Sequence, residues 1–229
     1  MRTEPAATPS LRERMLLALL PLSTGGAVLV TIVAVPDSLL WPALILVAGG
    51  AATAFAVTRR LPPAARRELG RRVRAGLIAG VAATVAYDLV RYGLVVLFSW
   101  SVDPFKTFPL FGQLLVGPDA GGPALWTAGT VYHVLNGLGF AVGYTLVIPR
   151  PGLLSAIVWG MVLEAFTILL YPDWLGLTAV GEFFSMSMLG HLAYGAVLGA
   201  VAIRLSRGPA RPGGPAQPES EPASPGEGL

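Results

Sequence analysis

Residues 15–57 read MLLALLPLSTGGAVLVTIVAVPDSLLWPALILVAGGAATAFAV and contain a single charged side chain, that of Asp37. The stretch divides around Pro36 into two apolar runs of about 20 residues, the length that an α-helix needs to cross the core of a bilayer. A spanning segment must satisfy its own backbone hydrogen bonds, and neither run shows the period-two alternation of a membrane β-barrel. The sequence therefore predicts two transmembrane helices, over residues 15–35 and 38–57.

Four further apolar runs follow, and the same argument predicts a transmembrane helix in each of residues 75–100, 124–148, 153–171 and 183–203. Of all residues, 54% are hydrophobic and 13% are charged, whereas roughly a quarter are charged in an ordinary soluble domain. The chain therefore lacks the polar side chains that a water-facing surface requires. We predict an all-α, polytopic integral membrane protein with about six transmembrane helices, arranged as a two-helix hairpin plus a four-helix core.

The basic residues predict the orientation of these helices. Nearly all of the 16 Lys and Arg residues lie before the first run, in the second and fourth connections, or after the last run, and the exceptions are Arg91 and Lys106. Because cytoplasmic loops retain Lys and Arg, an even number of spans puts both termini on the cytoplasmic side. Tryptophans near the predicted outer ends form an expected interfacial belt, namely Trp41, Trp100, Trp126 and Trp174. Abundant Arg, Ala, Gly and Pro beside scarce Lys favours a GC-rich bacterial genome, and hence the bacterial inner membrane.

Several classes of function are disfavoured by what the sequence lacks. The basic residues stand in short runs between apolar segments and not on one face, so we expect no nucleic-acid partner. Without cysteine the chain has no disulfide and no thiolate metal ligand. It also has no Walker loop and no dinucleotide-binding glycine motif, which argues against energy-coupled pumping by this chain alone.

The predicted organisation has five parts: a cytoplasmic amino-terminal segment (1–14), a transmembrane hairpin (15–57), an Arg-rich cytoplasmic loop (58–74), a four-helix membrane core (75–207), and a tail (208–229). The tail is rich in Pro, Gly, Glu and Ser, a composition that predicts disorder. Within the core, the outer loop 101–123 is too long for a tight turn and carries Phe105, Phe108 and Phe111. We interpret this loop as an interfacial or re-entrant lid on the outer face.

Small residues recur at four-residue spacing in the core, in the pairs Gly76 and Gly80, Gly139 and Gly143, and Gly195 and Gly199. Such pairs let two helix backbones approach closely in lipid. They predict close helix packing within the chain, or a homo- or hetero-oligomer formed through these GxxxG faces.

Ionisable side chains inside the predicted spans mark the candidate site, because each costs about 2.5–3.5 kcal/mol near mid-membrane. The third span has Asp88 and Arg91, the fourth has His133 with Asn136, the fifth has Glu164, and the sixth has His191 with Tyr194. Counting depth at about 1.5 Å per residue puts Arg91, His133, Glu164 and His191 in one slab between the outer interface and the midplane. Asp88 and Asn136 lie slightly deeper. The sequence therefore predicts a polar pocket that opens toward the outer leaflet, beneath the outer loop.

Three interpretations of this pocket remain open at the level of sequence. In the first it is catalytic or holds a cofactor: His133, Glu164 and His191 can hold a divalent metal, or the two histidines can ligate a haem. Asp88 and Arg91 would then assist Glu164, with Arg91 binding a lipid phosphate or another anionic substrate. In the second, the carboxylates and histidines relay protons or ions in transport. In the third, they only fix helix register.

Overall fold

The computed structural model describes residues 8–176 and 178–206, and within them it forms seven helices and no strand. The helices are α1 (Leu11–Ala34), α2 (Leu40–Arg60), α3 (Pro63–Phe98), α4 (Thr107–Val116), α5 (Gly122–Val147), α6 (Leu153–Leu175) and α7 (Val180–Ser206). Five of them, α1, α2, α3, α6 and α7, are long and apolar enough to cross a membrane. The prediction of an all-α protein with several membrane-spanning helices is confirmed.

The fourth predicted span, residues 124–148, corresponds to α5, which is 26 residues long but is not among these five helices. Its lower hydropathy reflects the glycines, Thr130, His133 and Asn136 within it. These residues are used in packing, because α5 contacts α1, α3 and α4. The count of six spans and the orientation of the termini remain predictions.

The predicted loop 58–74 is almost entirely helical, which corrects the expected boundaries. α2 continues to Arg60, and α3 begins at Pro63, so only Leu61 and Pro62 connect them. Proline is favoured at the first position of a helix, and the following residues are mostly good helix formers. Glu68 also pairs with Arg71 and Arg72, three and four residues further along α3. The basic segment is therefore the amino-terminal part of a 36-residue helix.

The helices pack in an open arc, in the spatial order α2, α1, α5, α3, α7, α6, and α4 lies against α5. α1 packs on α5 as well as on α2, so the predicted hairpin is joined to the core through α1. α6 packs mainly on α7. The ends of the arc are therefore α2 and α6, and a space remains inside the arc between α1 and α6.

The predicted glycine pairs lie at contacts between helices of this chain. Gly76 and Gly80 meet α5, Gly139 and Gly143 meet α1, and Gly195 and Gly199 meet α6. A Cβ atom added at Gly195 would lie 2.6 Å from the carbonyl oxygen of Ala156, so a larger residue would push the two helices apart. These faces are occupied within the chain, and an oligomer would need a different surface.

Some predicted features lie outside the described residues. They are the first residues of the segment 1–14 with Arg2, the tail 208–229, the basic residues Arg207 and Arg211, and the side chain of Trp174. Two tryptophans of the expected belt, Trp41 and Trp126, are exposed at the amino-terminal ends of α2 and α5.

Candidate functional site

A cavity of about 390 Å³ lies inside the arc and is lined by six of the seven helices, all except α2. Phe111, Tyr171 and Phe183 line the end of the cavity near α4, and Phe140 and Trp159 line it toward the opposite end. Its volume falls within the range of roughly 300–1,000 Å³ that is usual for small-molecule sites. The predicted outer lid contributes α4, whose Phe111 is one of the lining residues.

The cavity has an opening on its side, between α1 and α6. Val162 and Phe166 of α6 line it, yet 49% and 47% of their surfaces are exposed. Gly25, Gly26 and Leu29 of α1 line the opposite side. The half-exposed side chains of α6 therefore form the rim of an opening between α1 and α6.

The first polar pair in the cavity region joins α3 to α5. Asp88 Oδ2 is 3.0 Å from Nε2 of His133, whereas Asp88 Oδ1 is 3.7 Å from Nη1 of Arg91. Asp88 therefore forms an ion pair with Arg91 within α3, but its closer partner is the histidine. The ring of Phe108, from the predicted lid, packs on His133 with the centroids 4.6 Å apart.

The second polar pair joins α6 to α7. Glu164 Oε2 is 2.7 Å from Nδ1 of His191 and accepts a 2.6 Å hydrogen bond from Ser187 Oγ. The same Nδ1 is 3.1 Å from the carbonyl oxygen of Ser187. Glu164 is 1% exposed and Ser187 is also buried. A carboxylate in such a place is costly unless it is paired, so the Glu164–His191 contact ties the two helices together.

Tyr87 lies between the two pairs. Its ring centroid is 4.8 Å from that of His191 and 6.0 Å from that of His133. The guanidinium carbon of Arg91 is 4.7 Å from the same ring, in a cation–π contact. Helices α3, α5, α6 and α7 thus bring the five ionisable residues of the predicted spans together around the ring of Tyr87. They are Asp88, Arg91, His133, Glu164 and His191.

The residues predicted to share a metal ion are divided between these pairs. In the described ranges, no three His, Asp or Glu side chains are arranged to hold one metal ion. His191 is bound to Glu164, while His133 is bound to Asp88. The set His133, Glu164 and His191 is therefore not assembled as a metal centre. A haem between the two histidines would have to displace Tyr87.

The sequence profile of a protein family matches residues 70–212, more than half of the chain, and its description is a family of unknown function, DUF6789. The chain belongs to this family. No curated protein and no solved structure matches it. All five ionisable residues of the site lie in the part that matches DUF6789, whereas α1 and α2 precede it.

Asn136 and Tyr194, the predicted supporting residues beside the two histidines, also line the cavity of this DUF6789 protein. Asn136 Oδ1 accepts a 3.1 Å hydrogen bond from Thr24 Oγ1, which links α5 to α1. The hydroxyl of Tyr194 donates a 2.6 Å hydrogen bond to the carbonyl of Gly137, which links α7 to α5. Both side chains therefore hold the helices around the cavity.

Three polar atoms at the cavity wall have no hydrogen-bond partner in the part of the chain that the structure describes: Thr84 Oγ1, Arg91 Nε and Trp159 Nε1. Leaving a buried donor unpaired costs about 1–3 kcal/mol, so these atoms favour a bound molecule or water that accepts hydrogen bonds. Sequence reasoning missed Trp159 and the contribution of α1. A signal for Trp159 is its position in the middle of a span, away from the tryptophans near the span ends.

Proposed function

We propose that this DUF6789 protein binds a membrane-dissolved amphiphile in the cavity. The observation that carries the proposal is a cluster of five ionisable side chains, mostly shielded from solvent, next to one apolar cavity with a lateral opening. The apolar part of the ligand lies against the aliphatic and aromatic walls. Its polar part lies beside the two histidine–carboxylate pairs and Arg91.

The length of the cavity supports a ligand with an extended apolar part. Trp159 and Tyr171 line it from the same helix, α6. Twelve residues of α-helix rise about 18 Å, which is more than half of the bilayer core. A ligand of this length lies roughly along the helices, with its chain parallel to those of the surrounding lipids.

The proposed setting is the bacterial inner membrane, with six spans that include α5 and with both termini in the cytoplasm. Arg59, Arg60 and the amino-terminal arginines of α3 are at one end of the bundle. Trp41 and Trp126 are at the opposite end, where α2 and α5 begin. This distribution agrees with the positive-inside rule and with an outer aromatic belt. In this orientation Arg91 and the two histidines lie in the outer half of the membrane.

Trp159 provides a fluorescent reporter of occupancy, because it lines the cavity. We would replace the other four tryptophans (Trp41, Trp100, Trp126 and Trp174) with Phe and add 12-bromododecanol to the protein in phosphatidylcholine nanodiscs. Bromine quenches indole fluorescence at contact. We expect saturable quenching of Trp159, since the number of sites is limited.

The matched control retains Trp126 as its only tryptophan, because this side chain is 45% exposed and does not line the cavity. Its quenching should rise in proportion to the bromide in the membrane without saturating. If Trp159 behaves in the same way as Trp126, the cavity takes no amphiphile and the proposal is wrong. Elemental analysis and a visible spectrum of the same sample test the metal and haem interpretations.

A further inference from the structure

The geometry points to a more specific class of ligand: an amphiphile with an acidic head group, either a carboxylic acid or a phosphate monoester, which transfers its proton to His191 when it binds. This inference rests on the proposed function and adds the chemistry of the head group. It follows from the hydrogen-bond directions at His191 and from the position of Arg91.

The tautomer of His191 is determined by its neighbours. Nδ1 lies 3.1 Å from the carbonyl oxygen of Ser187, and a carbonyl oxygen only accepts hydrogen bonds. Nδ1 therefore carries the hydrogen, and Glu164 Oε2 lies 2.7 Å from the same nitrogen. In the neutral ring the lone pair is then on Nε2, and His191 lines the cavity.

His133 has the opposite arrangement. Its Nε2 is 3.0 Å from Asp88 Oδ2, so this nitrogen carries the hydrogen and the lone pair is on Nδ1. Asp88 is already shared between His133 and Arg91. Glu164, by contrast, pairs with His191 and accepts a hydrogen bond from the neutral hydroxyl of Ser187.

Glu164 makes a second proton on His191 favourable. One of its oxygens, Oε1, is buried and has no hydrogen-bond partner in the described ranges, so the carboxylate is incompletely compensated. A positive imidazolium at 2.7 Å compensates this charge, as the aspartate of a catalytic triad does for its histidine. The two imidazoles differ in that the carboxylate beside His191 is 1% exposed, whereas Asp88 beside His133 is also paired with Arg91.

Arg91 supplies the complementary group for the anion that results. It is 4% exposed, lines the cavity, and its Nε has no hydrogen-bond partner in the described part. A Cβ added at Gly190, the residue before His191, would lie 2.9 Å from Arg91 Cγ, and the side chains of Arg91 and His191 both contact the ring of Tyr87. An oxygen of the head group can accept a hydrogen bond from Nε while the proton of the same group passes to His191.

The proton transfer is balanced without any further reactant. The O–H bond of the neutral acid breaks, an N–H bond forms at His191 Nε2, and the products are a carboxylate or phosphate anion beside an imidazolium. The acid enters from the membrane without charge, which avoids the cost of moving an ion through hydrocarbon. The charge separates only where Arg91, His191 and Glu164 lie around it.

The chain contains two histidines, so nitrogen NMR of protein labelled with ¹⁵N-histidine reports both imidazoles directly. We expect the ligand-free protein to show His191 protonated at Nδ1 and His133 protonated at Nε2. Addition of dodecanoic acid carrying a ¹³C carboxyl group should produce a second proton on His191 and an ionised bound carboxylate. Monododecyl phosphate should act in the same way, whereas dodecanol should leave both rings unchanged.

The outcomes separate this inference from the proposed function. If dodecanol and dodecanoic acid bind equally and neither ring changes, the cavity binds amphiphiles but the acidic head group is wrong. If none of these compounds binds, both proposals are wrong. Acetate and inorganic phosphate, tested without a chain, should have no effect, and an equal response to them would overturn the requirement for an amphiphile.

A variant tests the contribution of the carboxylate. Glu164→Gln keeps the shape of the side chain but removes its charge, so dodecanoic acid should leave His191 with one proton and should bind about tenfold more weakly. The signals of His133 check that the fold is retained. Glu164→Asp retains the negative charge, so a doubly protonated His191 in this variant would support the charge as the cause. Proton transfer that is unchanged in Glu164→Gln would overturn the role of the carboxylate.

Discussion

Two arginines on the same helix, Arg72 and Arg91, are both mostly buried but have different surroundings. Arg72 donates hydrogen bonds to the carbonyls of Thr145, Ile148 and Pro149 at 2.9, 3.1 and 3.2 Å, and pairs with Glu68 at 2.9 Å. Arg91 has an ion pair at 3.7 Å and one aromatic ring, and its Nε lacks a hydrogen-bond partner in the described residues. Arg72 therefore has close hydrogen-bond acceptors around its guanidinium group, whereas Arg91 retains a donor that is free, within the described residues, to bind a ligand.

The difference shows how a structural cation can be distinguished from one available to a ligand. A helix leaves its last carbonyls without partners, and Arg72 satisfies those at the end of α5. No helix terminus needs Arg91, which instead lines the cavity. Substitution at the first position should therefore affect mainly stability, whereas substitution at the second should affect mainly binding.

Replacing Arg72 should have the largest effect. Arg72→Ala leaves three carbonyls and Glu68 Oε1 without the arginine donor, although Arg71 still bonds Glu68 Oε2. We expect the free energy of unfolding in detergent to fall by about 3 kcal/mol. Thermal or denaturant unfolding measures this. Arg67→Ala is the matched control, because Arg67 is exposed on the same helix and should change stability by less than about 0.5 kcal/mol. Equal effects of the two variants would mean that Arg72 does not act as a cap.

Replacing Arg91 should weaken ligand binding and leave stability almost unchanged. Arg91→Gln retains a side chain of similar length but removes the charge, and we expect dodecanoic acid to bind at least tenfold more weakly, or about 1.4 kcal/mol. Unfolding should change by about 1 kcal/mol or less, because only a long ion pair and a ring contact are lost. Titration calorimetry measures the affinity. A large loss of stability with unchanged binding would reverse the roles assigned to the two arginines.

Much of the helical architecture follows from hydropathy, because crossing a bilayer restricts the length and polarity of a segment. The basic segment before Gly76 was harder to assign, since arginines that set topology look the same in a loop as in a helix. The capping role of Arg72 depends on where α5 ends relative to α3. This is a tertiary relation that spacing along the chain does not encode.

The candidate site was only partly predictable for a similar reason. Depth along the helices selects Arg91, His133, Glu164 and His191, with Asp88 slightly deeper, because the rise per residue is fixed. Depth does not give the rotation of each helix, and rotation decides that Asp88 pairs with His133 while Glu164 pairs with His191. The metal set was chosen by residue type, and the observed pairing separates its members.

Removing the hydrogen bond that joins α1 to α5 at the cavity wall should have a smaller effect on stability. Thr24→Val keeps the shape of the side chain but removes the hydroxyl that donates to Asn136. A hydrogen bond between membrane helices contributes about 0.6 kcal/mol on average, and we expect stability to fall by that amount. Thr53→Val is the control, because its hydroxyl bonds only within α2, to the carbonyl of Gly49. If the two variants lose the same stability, the link between α1 and α5 contributes nothing.

Narrowing the lateral opening should have the smallest effect, which is on the rate of ligand association. Val162→Phe adds bulk to a side chain that lines the opening, whereas Val158→Phe, one turn earlier on α6, adds it to a side chain that is 53% exposed and outside the cavity wall. Because the larger ring narrows the gap without touching Arg91 or His191, association of 12-bromododecanol should slow about threefold in the first variant, or about 0.6 kcal/mol. Stopped-flow quenching of Trp159 measures this rate. Equal rates in the two variants would indicate entry from the outer end, past α4, and would assign the gating of the cavity to the lid.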